Sequence, residues 1–356
     1  MSNDVEERVL EALSEVNDPA FEDNLVKLGM VQDLQIEGSK VAFRLMLTTP
    51  AHPHREEMAI EARKAVEALE GVSEVSVEVI ARVPHDGRGR GDRAIRNAVA
   101  VGSGKGGVGK TTVAVNVAVA LAKAGASVGL LDADVYGPNV PTMLGVDRMP
   151  PPQDERMIPA EAYGVKLISI AFMVKPSQPL VWRGPMLHKA IEQFVTDVEW
   201  GELDYLIVDL PPGTGDAALS LTQSLPLSGS VIVTLPQNVS LEDASRGIEM
   251  FRSMEVPLLG VLENMSYLEL DDGQRVDVFG MGGGERLAEE ADVPFLGSVP
   301  MDPAVRQASD SGVPVVISHP EGAVAEAFVS AAERIAINVS LQALEQGDEI
   351  ELEILD

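Results

Sequence analysis

A glycine-rich segment at residues 104–111 constrains the fold of this 356-residue chain more than any other feature. It fits the pattern G-x-x-x-x-G-K-[ST], and it lies between an apolar run at residues 98–101 and a helical pattern at residues 111–124. Glycines let backbone N–H groups curl around phosphates, and the N-terminus of the next helix adds partial positive charge. The segment therefore predicts a P-loop nucleotide site between a strand and a helix.

Charged and hydroxyl side chains in this loop suit ATP and Mg²⁺. We expect Lys110 to neutralise the β- and γ-phosphates and the Thr111 hydroxyl to bind Mg²⁺. Lys105 is not required by the pattern; it is either a solvated surface lysine or, as a cation beside a polyphosphate favours, part of the site. The residues expected to bind nucleotide here are Gly102, Ser103, Gly104, Lys105, Gly106, Gly107, Val108, Gly109, Lys110, Thr111 and Thr112.

Three carboxylates stand where apolar strand patterns end. Asp132 and Asp134 follow one such run, and Asp209 follows the run at residues 205–208. Doubly wound folds bind ligands at the carboxyl ends of their strands, so these side chains are expected to face the phosphates. Asp209 has the position of a Walker B carboxylate that holds Mg²⁺, and residues 211–216 are expected to sense the γ-phosphate. An isolated strand-end Asp would instead suggest a helix cap.

The pattern of apolar runs and helical stretches predicts a doubly wound, mostly parallel α/β sheet. The predicted strands are residues 98–101, 127–131, 205–208, 230–235 and 258–262, and the predicted helices between and after them are residues 111–124, 187–198, 241–254 and 283–291.

A smaller α+β domain is predicted at residues 1–83, followed by a linker at 84–97, the P-loop domain at 98–340 and an acidic tail at 341–356. In the small domain, the predicted helices are residues 5–16 and 55–69, and the predicted strands are residues 29–36, 40–47 and 72–80.

The charge balance limits the partners of this chain. It carries 27 Lys and Arg against 56 Asp and Glu, a formal net charge of -29. Such a surface repels nucleic acid and anionic membranes, so neither is an expected partner. The excess of carboxylates favours a halophilic protein over an ordinary acidic one. The N-terminus lacks a basic segment followed by an apolar one, and the protein is expected to be cytoplasmic.

Four motifs together closely resemble the Mrp/ApbC family of MinD-like deviant Walker A ATPases, whose members act as iron-sulfur cluster carriers or scaffolds. The motifs lie at residues 104–112, 132–139, 182–186 and 209–216. Residues 1–83 are similar to a small iron-sulfur-assembly domain, through residues 16–19, 26–31 and 47–53. The resemblance implies hydrolysis of ATP.

The resemblance also implies roles for single residues. Lys105 would reach the partner's nucleotide across a homodimer closed by ATP. Asp134 would orient the attacking water, and Asp132 and Asp209 would support Mg²⁺. Thr112 would touch the α-phosphate. Asn264 would contact adenine with the loop around Pro300 and Asp302, although a strand-end Asn is also a good turn or cap residue.

The chain departs from the family at its cluster ligands, because it contains no Cys. Residues 268–273 stand where the family usually carries a Cys-x-x-Cys pair, and His52 replaces the small domain's usual Cys. His52 and His54 form either a substitute metal site or solvated and capping side chains.

Two hypotheses follow from this departure. One is an ATP-driven carrier that serves apoprotein clients or assembly proteins and uses a partner's thiolates or atypical ligands. In that case the small domain with His52 and the loop at residues 268–273 are docking surfaces. The other is a nucleotide-switched dimer that positions other proteins and holds no cluster.

Overall fold

The computed structural model describes residues 2–85, 95–154, 156–173, 184–215, 218, 219, 222, 223, 225, 227–270 and 272–345. Parts of three predicted features lie outside the described residues: the linker at 86–94, the motif residues Trp182, Arg183 and Asp216, and the tail from residue 346 onward.

The N-terminal residues form a small α+β unit. Its helices are α1 (Ser2–Leu13) and α2 (Arg55–Glu67), and its strands are β1 (Asn17–Asp18), β2 (Asp23–Asn24), β3 (Val31–Glu37), β4 (Lys40–Leu47) and β5 (Glu74–Ala81). Strand β4 lies between an antiparallel β3 and a parallel β5. Alternate residues of β4 are buried with residues of both helices in one core, as the period of two in a strand requires.

The larger unit contains the other elements. Its strands are β6 (Ile95–Gly102), β7 (Val128–Asp132), β8 (Ala160–Ala162), β9 (Val165–Ser169), β10 (Leu203–Asp209), β11 (Gly229–Thr234), β12 (Leu258–Glu263), β13 (Leu268–Glu269), β14 (Arg275–Val276) and β15 (Phe295–Ser298). Its helices are α3 (Lys110–Lys123), α4 (Val140–Met143), α5 (Gly184–Thr196), α6 (Asn238–Ser253), α7 (Gly283–Glu290), α8 (Pro303–Ser311), α9 (Val315–Ser318) and α10 (Ala323–Glu345), with a 3₁₀ helix at Ile170–Met173.

In the described part of the chain, eight strands form the main sheet in the order β15-β12-β11-β6-β10-β7-β9-β8. Neighbouring strands are parallel except for β8 and β9. The predicted doubly wound α/β fold is therefore confirmed. The five apolar runs of the sequence are five adjacent strands, from β12 to β7, because strands buried on both faces are apolar along their whole length.

Helices cover both faces of this sheet. Helix α3 is buried along most of its length in the same core as α10 on one face. Phe194 of α5, Phe251 of α6 and Leu287 of α7 belong to the core of the other face. With both faces covered, a ligand reaches the sheet at the carboxyl ends of its strands.

The small unit packs against the amino ends of the sheet strands, opposite the carboxyl ends where a ligand would bind. The Tyr205 hydroxyl at the start of β10 lies 3.0 Å from the Thr49 hydroxyl, and both are buried. Asn97 of β6 donates from its amide to the Pro84 carbonyl at 2.8 Å. Ala51 and Val83 belong to the core of the large unit. These contacts fix the small unit on the side of the sheet away from the glycine-rich loop.

Within the described residues, the helices are too short or too polar to cross a membrane.

Candidate functional site

Close backbone approaches explain the glycines of residues 104–111. A Cβ atom on Gly104 would lie 2.0 Å from the backbone carbonyl carbon of Asp243 in α6. Gly109, which caps α3, has a φ of +83° in the left-handed region, and its Cβ would lie 2.2 Å from the Asn264 amide nitrogen. The loop therefore needs glycine at these two positions, because other residues would displace its neighbours or strain its backbone.

Lys110 and Thr111 of α3 meet carboxylates from two other strand ends. The Lys110 Nζ lies 2.5 Å from Oδ1 of Asp209 and 3.6 Å from Oδ2 of Asp134. The Thr111 hydroxyl donates to Oδ2 of Asp209 at 2.8 Å. Four residues predicted from separate motifs, including Asp134 and Asp209, thus come together at the carboxyl edge of β6, β7 and β10.

Asp132 is the last residue of β7 and is fully buried. Its Oδ2 accepts hydrogen bonds from the Ser169 hydroxyl at 2.8 Å and from the Val140 N–H at 3.3 Å. Burial and the nearby Asp209 raise the pKa of the Asp132 carboxyl to about 7. Burial also raises the pKa of the Asp209 carboxyl, although the Lys110 ammonium acts in the other direction.

Asp134 holds the loop that follows β7. Its Oδ1 accepts hydrogen bonds from the backbone N–H groups of Tyr136 and Gly137 at 3.1 and 3.3 Å, while Oδ2 faces Lys110. A change in the partners of the Lys110 ammonium would therefore affect this loop through the Asp134 carboxylate.

The oxygen atoms at this edge suit Mg²⁺. A hydroxyl from Thr111 and buried carboxylates from Asp132 and Asp209 form the hard oxygen set that this cation prefers. Buried carboxylates with raised pKa values gain from a divalent cation that offsets their mutual repulsion. The residues present therefore fit a magnesium ion that also binds substrate phosphates.

Lys105, Thr112 and Asn264 also lie at or beside the loop. Lys105 is partly exposed, and no described side chain pairs with its ammonium. Thr112 lies in the first turn of α3, where its carbonyl accepts a hydrogen bond from Asn116 at 2.9 Å. Asn264, directly after β12, donates from its amide to the Val108 carbonyl at 2.8 Å. Its predicted contact with adenine stays a prediction.

Ser169 and Asp243 are two site residues that the sequence analysis did not find. Ser169 pairs in register with Asp132 across β9 and β7, and the apolar run of β9 was the available signal. Asp243 supplies only backbone, for which no sequence signal exists.

Comparison with known proteins agrees with this geometry. Residues 94–336 match the model of the NUBPL iron-transfer P-loop NTPases, and residues 6–79 match that of the iron-sulfur cluster assembly proteins. The chain belongs to the NUBPL iron-transfer P-loop NTPase family. It is 52% identical over 348 residues to the iron-sulfur cluster carrier protein of Synechocystis sp., and the match covers 94% of this chain and 98% of that protein.

Two solved structures of nucleotide-binding proteins are similar to the NUBPL-type chain. The nucleotide-binding protein of Archaeoglobus fulgidus, solved in complex with ADP, is 38% identical with a TM-score of 0.56, over 62% of this chain and 87% of that one. MinD of Pyrococcus horikoshii, solved with Mg-ADP, shares the fold at 23% identity with a TM-score of 0.51, over 66% of this chain and 94% of that one.

His52 and His54 of this NUBPL-type chain have protein partners in the described part of the structure. The His52 side chain is 0% exposed, with Nε2 3.1 Å from Oδ2 of Asp18 and Nδ1 accepting the His54 N–H at 3.3 Å. His54 lies 3.2 Å from Glu57 at the start of α2. Among the described residues, no group of three or more His, Asp or Glu side chains is placed to hold a metal ion. The His52 side chain is buried and does not itself face a partner. Docking by the small domain that contains it stays a prediction.

Residues 268–273 lie in and beside the β13–β14 hairpin, which pairs Leu268 with Val276 and Glu269 with Arg275. Leu270 is exposed there. No thiolate is available at this hairpin or elsewhere in the chain to ligate iron, because the sequence contains no Cys.

Proposed function

We propose that this chain is a magnesium-dependent ATPase that acts in iron-sulfur cluster delivery. The observation that supports it best is the meeting of Lys110, Thr111, Asp134 and Asp209 at one strand edge. Family membership and the ADP bound to the Archaeoglobus fulgidus protein support the same conclusion.

Each of these side chains has its own role in the proposed hydrolysis of ATP. The β- and γ-phosphates of ATP compete with Asp209 and Asp134 for the Lys110 ammonium, because all are anions within its reach. Thr111, Asp209 and Asp132 hold Mg²⁺, which neutralises charge on the phosphate oxygens when bound. Asp134, freed from Lys110, accepts a hydrogen bond from the attacking water and orients it for in-line displacement.

We further propose that ATP closes a homodimer in which each Lys105 contacts the partner's phosphates. The ammonium of Lys105 is available for such a contact, since no described side chain engages it.

The cluster itself is cargo for which this chain supplies no usual ligands. The sequence contains no Cys, and the described residues include no group of three or more His, Asp or Glu side chains placed to hold a metal ion. We therefore propose that the thiolates come from a partner, either an assembly protein or an apoprotein client. No step of the ATPase requires the cluster to contact this chain.

The decisive ATPase experiment compares Lys110→Ala and Asp134→Ala with the exposed control Asp147→Ala. Each site variant should lose at least about 100-fold in turnover, as removal of a single charge-stabilising group does elsewhere. Only Asp134→Ala should keep affinity for MgATP. Equal turnover in the wild type and Asp134→Ala would remove Asp134 from the mechanism.

The crossed dimer is tested by mixing Lys105→Ala with Asp134→Ala. A heterodimer contains one composite site with both wild-type groups, so part of the activity should return. No regained activity in heterodimers verified by mass would contradict the crossed arrangement.

Cargo binding is tested by anaerobic reconstitution with iron and sulfide, followed by iron analysis and visible absorption. The chain alone should hold no stable cluster, whereas a mixture with a cluster-loaded assembly protein should form an ATP-dependent complex. A stoichiometric cluster on the isolated chain would contradict the proposal. A chain that forms no such complex in either nucleotide state would instead be a cluster-free switch.

A further inference from the structure

Glu263 is a fully buried carboxylate that the ATPase mechanism does not use. It is the last residue of β12, and its two oxygens have different partners. Oε1 accepts a hydrogen bond from the Ser266 hydroxyl at 2.5 Å, and Oε2 accepts one from the Gly284 N–H at 2.6 Å. Each oxygen thus has one donor, and the two donors lie 18 residues apart in sequence.

These two donors stand at the two ends of one protruding segment. Residues 267–270 and 272–283, here named the excursion segment, leave the sheet after Ser266 and return at the start of α7. The segment includes the β13–β14 hairpin, and it exposes Leu270 by 41%, Val278 by 46% and Met281 by 67%. The Glu263 carboxylate therefore binds residues at both ends of a segment that carries exposed apolar side chains.

The neighbouring residue connects the same strand end to the phosphate-binding loop. Asn264 is buried and donates to the Val108 carbonyl, in the middle of that loop. Its backbone N–H is bound to Thr234 of β11 at 2.8 Å. The peptide that carries the Val108 carbonyl belongs to the cradle that surrounds the phosphates.

The packing at both contacts is tight. A Cβ atom on Gly284 would lie 2.8 Å from the Glu263 Cβ, and a Cβ atom on Gly109 would lie 2.2 Å from the Asn264 amide nitrogen. Closely packed interiors transmit small displacements instead of absorbing them. A displacement of the loop would therefore reach Asn264 and, through it, the adjacent Glu263.

We propose that Glu263 is a positioning residue that makes the excursion segment respond to nucleotide at the phosphate-binding loop. This inference rests on the proposed function only in that the loop binds nucleotide. The exposed apolar side chains of the segment are then presented differently with and without nucleotide.

Amide hydrogen exchange with and without MgADP tests the proposal on the full chain. In the wild type, MgADP should slow exchange at residues 104–112 and change it at the excursion segment by at least about fivefold, the low end of coupling between sites. Glu263→Gln keeps the size of the side chain but replaces one acceptor with a donor. It should keep the MgADP effect at the loop and lose most of the effect at the excursion segment.

Two further variants make the result specific. Ser266→Ala removes one of the two contacts and should lose part of the nucleotide effect, and it decides the matter if Glu263→Gln does not fold. Glu269→Gln, whose exposed carboxylate pairs with Arg275 on the hairpin, should respond as the wild type does.

Three outcomes would overturn the inference. An excursion segment that ignores MgADP while the loop is protected refutes the coupling alone. Full coupling in both Glu263→Gln and Ser266→Ala refutes the role of Glu263. A loop that MgADP does not protect refutes the proposed nucleotide site, and the coupling falls with it.

Discussion

Replacement of Asp132 by Asn should change how stability depends on pH in the metal-free protein. Asp132 is fully buried, and burial with the nearby Asp209 raises the pKa of its carboxyl from 3.8 to about 7. A raised pKa means that the folded chain binds the proton more tightly than the unfolded chain does. Stability from this group is therefore fully present below about pH 4 and is lost as pH rises towards about 7.

The magnitude follows from the interval between the two pKa values. Between about pH 5 and pH 7 the unfolded carboxyl is ionised and the folded one is protonated, so each pH unit costs about 1.4 kcal/mol. The wild type should lose about 2.5 kcal/mol more than Asp132→Asn over this interval, since an amide does not titrate. Any fixed cost from the altered contacts with Ser169 and Val140 is the same at each pH and cancels in the slope.

The assay is urea unfolding of both proteins in EDTA at several pH values. Asp147→Asn removes an exposed carboxylate instead and should follow the wild type. Parallel stability curves for the wild type and Asp132→Asn would show that Asp132 does not carry this proton. Added Mg²⁺ should flatten the wild-type curve, because a divalent cation favours the ionised carboxylates.

Three other expectations follow from the fold. Gly104→Ala should abolish MgATP binding by calorimetry, because its Cβ would meet the Asp243 backbone at 2.0 Å. Tyr205→Phe should cost about 1 kcal/mol, and a double-mutant cycle with Thr49→Val should show that the two losses are not additive. The melting temperature should rise from low to molar KCl, where the Debye length falls to about 3 Å and surplus carboxylates repel less; a flat or falling curve would refute the halophilic interpretation.

The sequence predicted the centre of the fold better than its margins. Strands buried on both faces produce unbroken apolar runs, and these located the five adjacent strands from β12 to β7. The edge strands β8 and β15, and β9 beside β8, are short and only partly apolar, so no element was assigned to them. Strand β6 begins at Ile95, inside the predicted linker. The prediction missed this start because Arg96 and Asn97 are polar, although Ile95 and Asn97 pair with β10.

The candidate site was predictable where a motif fixes the chemistry. Lys110, Thr111 and Asp209 follow from phosphate and magnesium binding, which restrict the residue type at each position. The burial of His52 beside Asp18 could not be predicted, because it depends on how a loop packs in three dimensions. The same holds for Glu263, whose partners Ser266 and Gly284 share no recognisable pattern with it.

Strand β10 meets a different neighbour at each end, which bears on how such two-part proteins evolve. Tyr205 at its start contacts the small unit, and Asp209 at its end faces Lys110. The two are separated by about 13 Å along the strand, at roughly 3.3 Å per residue. An accessory module attached at one edge of a sheet leaves the chemistry at the other edge intact. Gene fusion, loss or replacement of the module can therefore leave the contact between Lys110 and Asp209 in place.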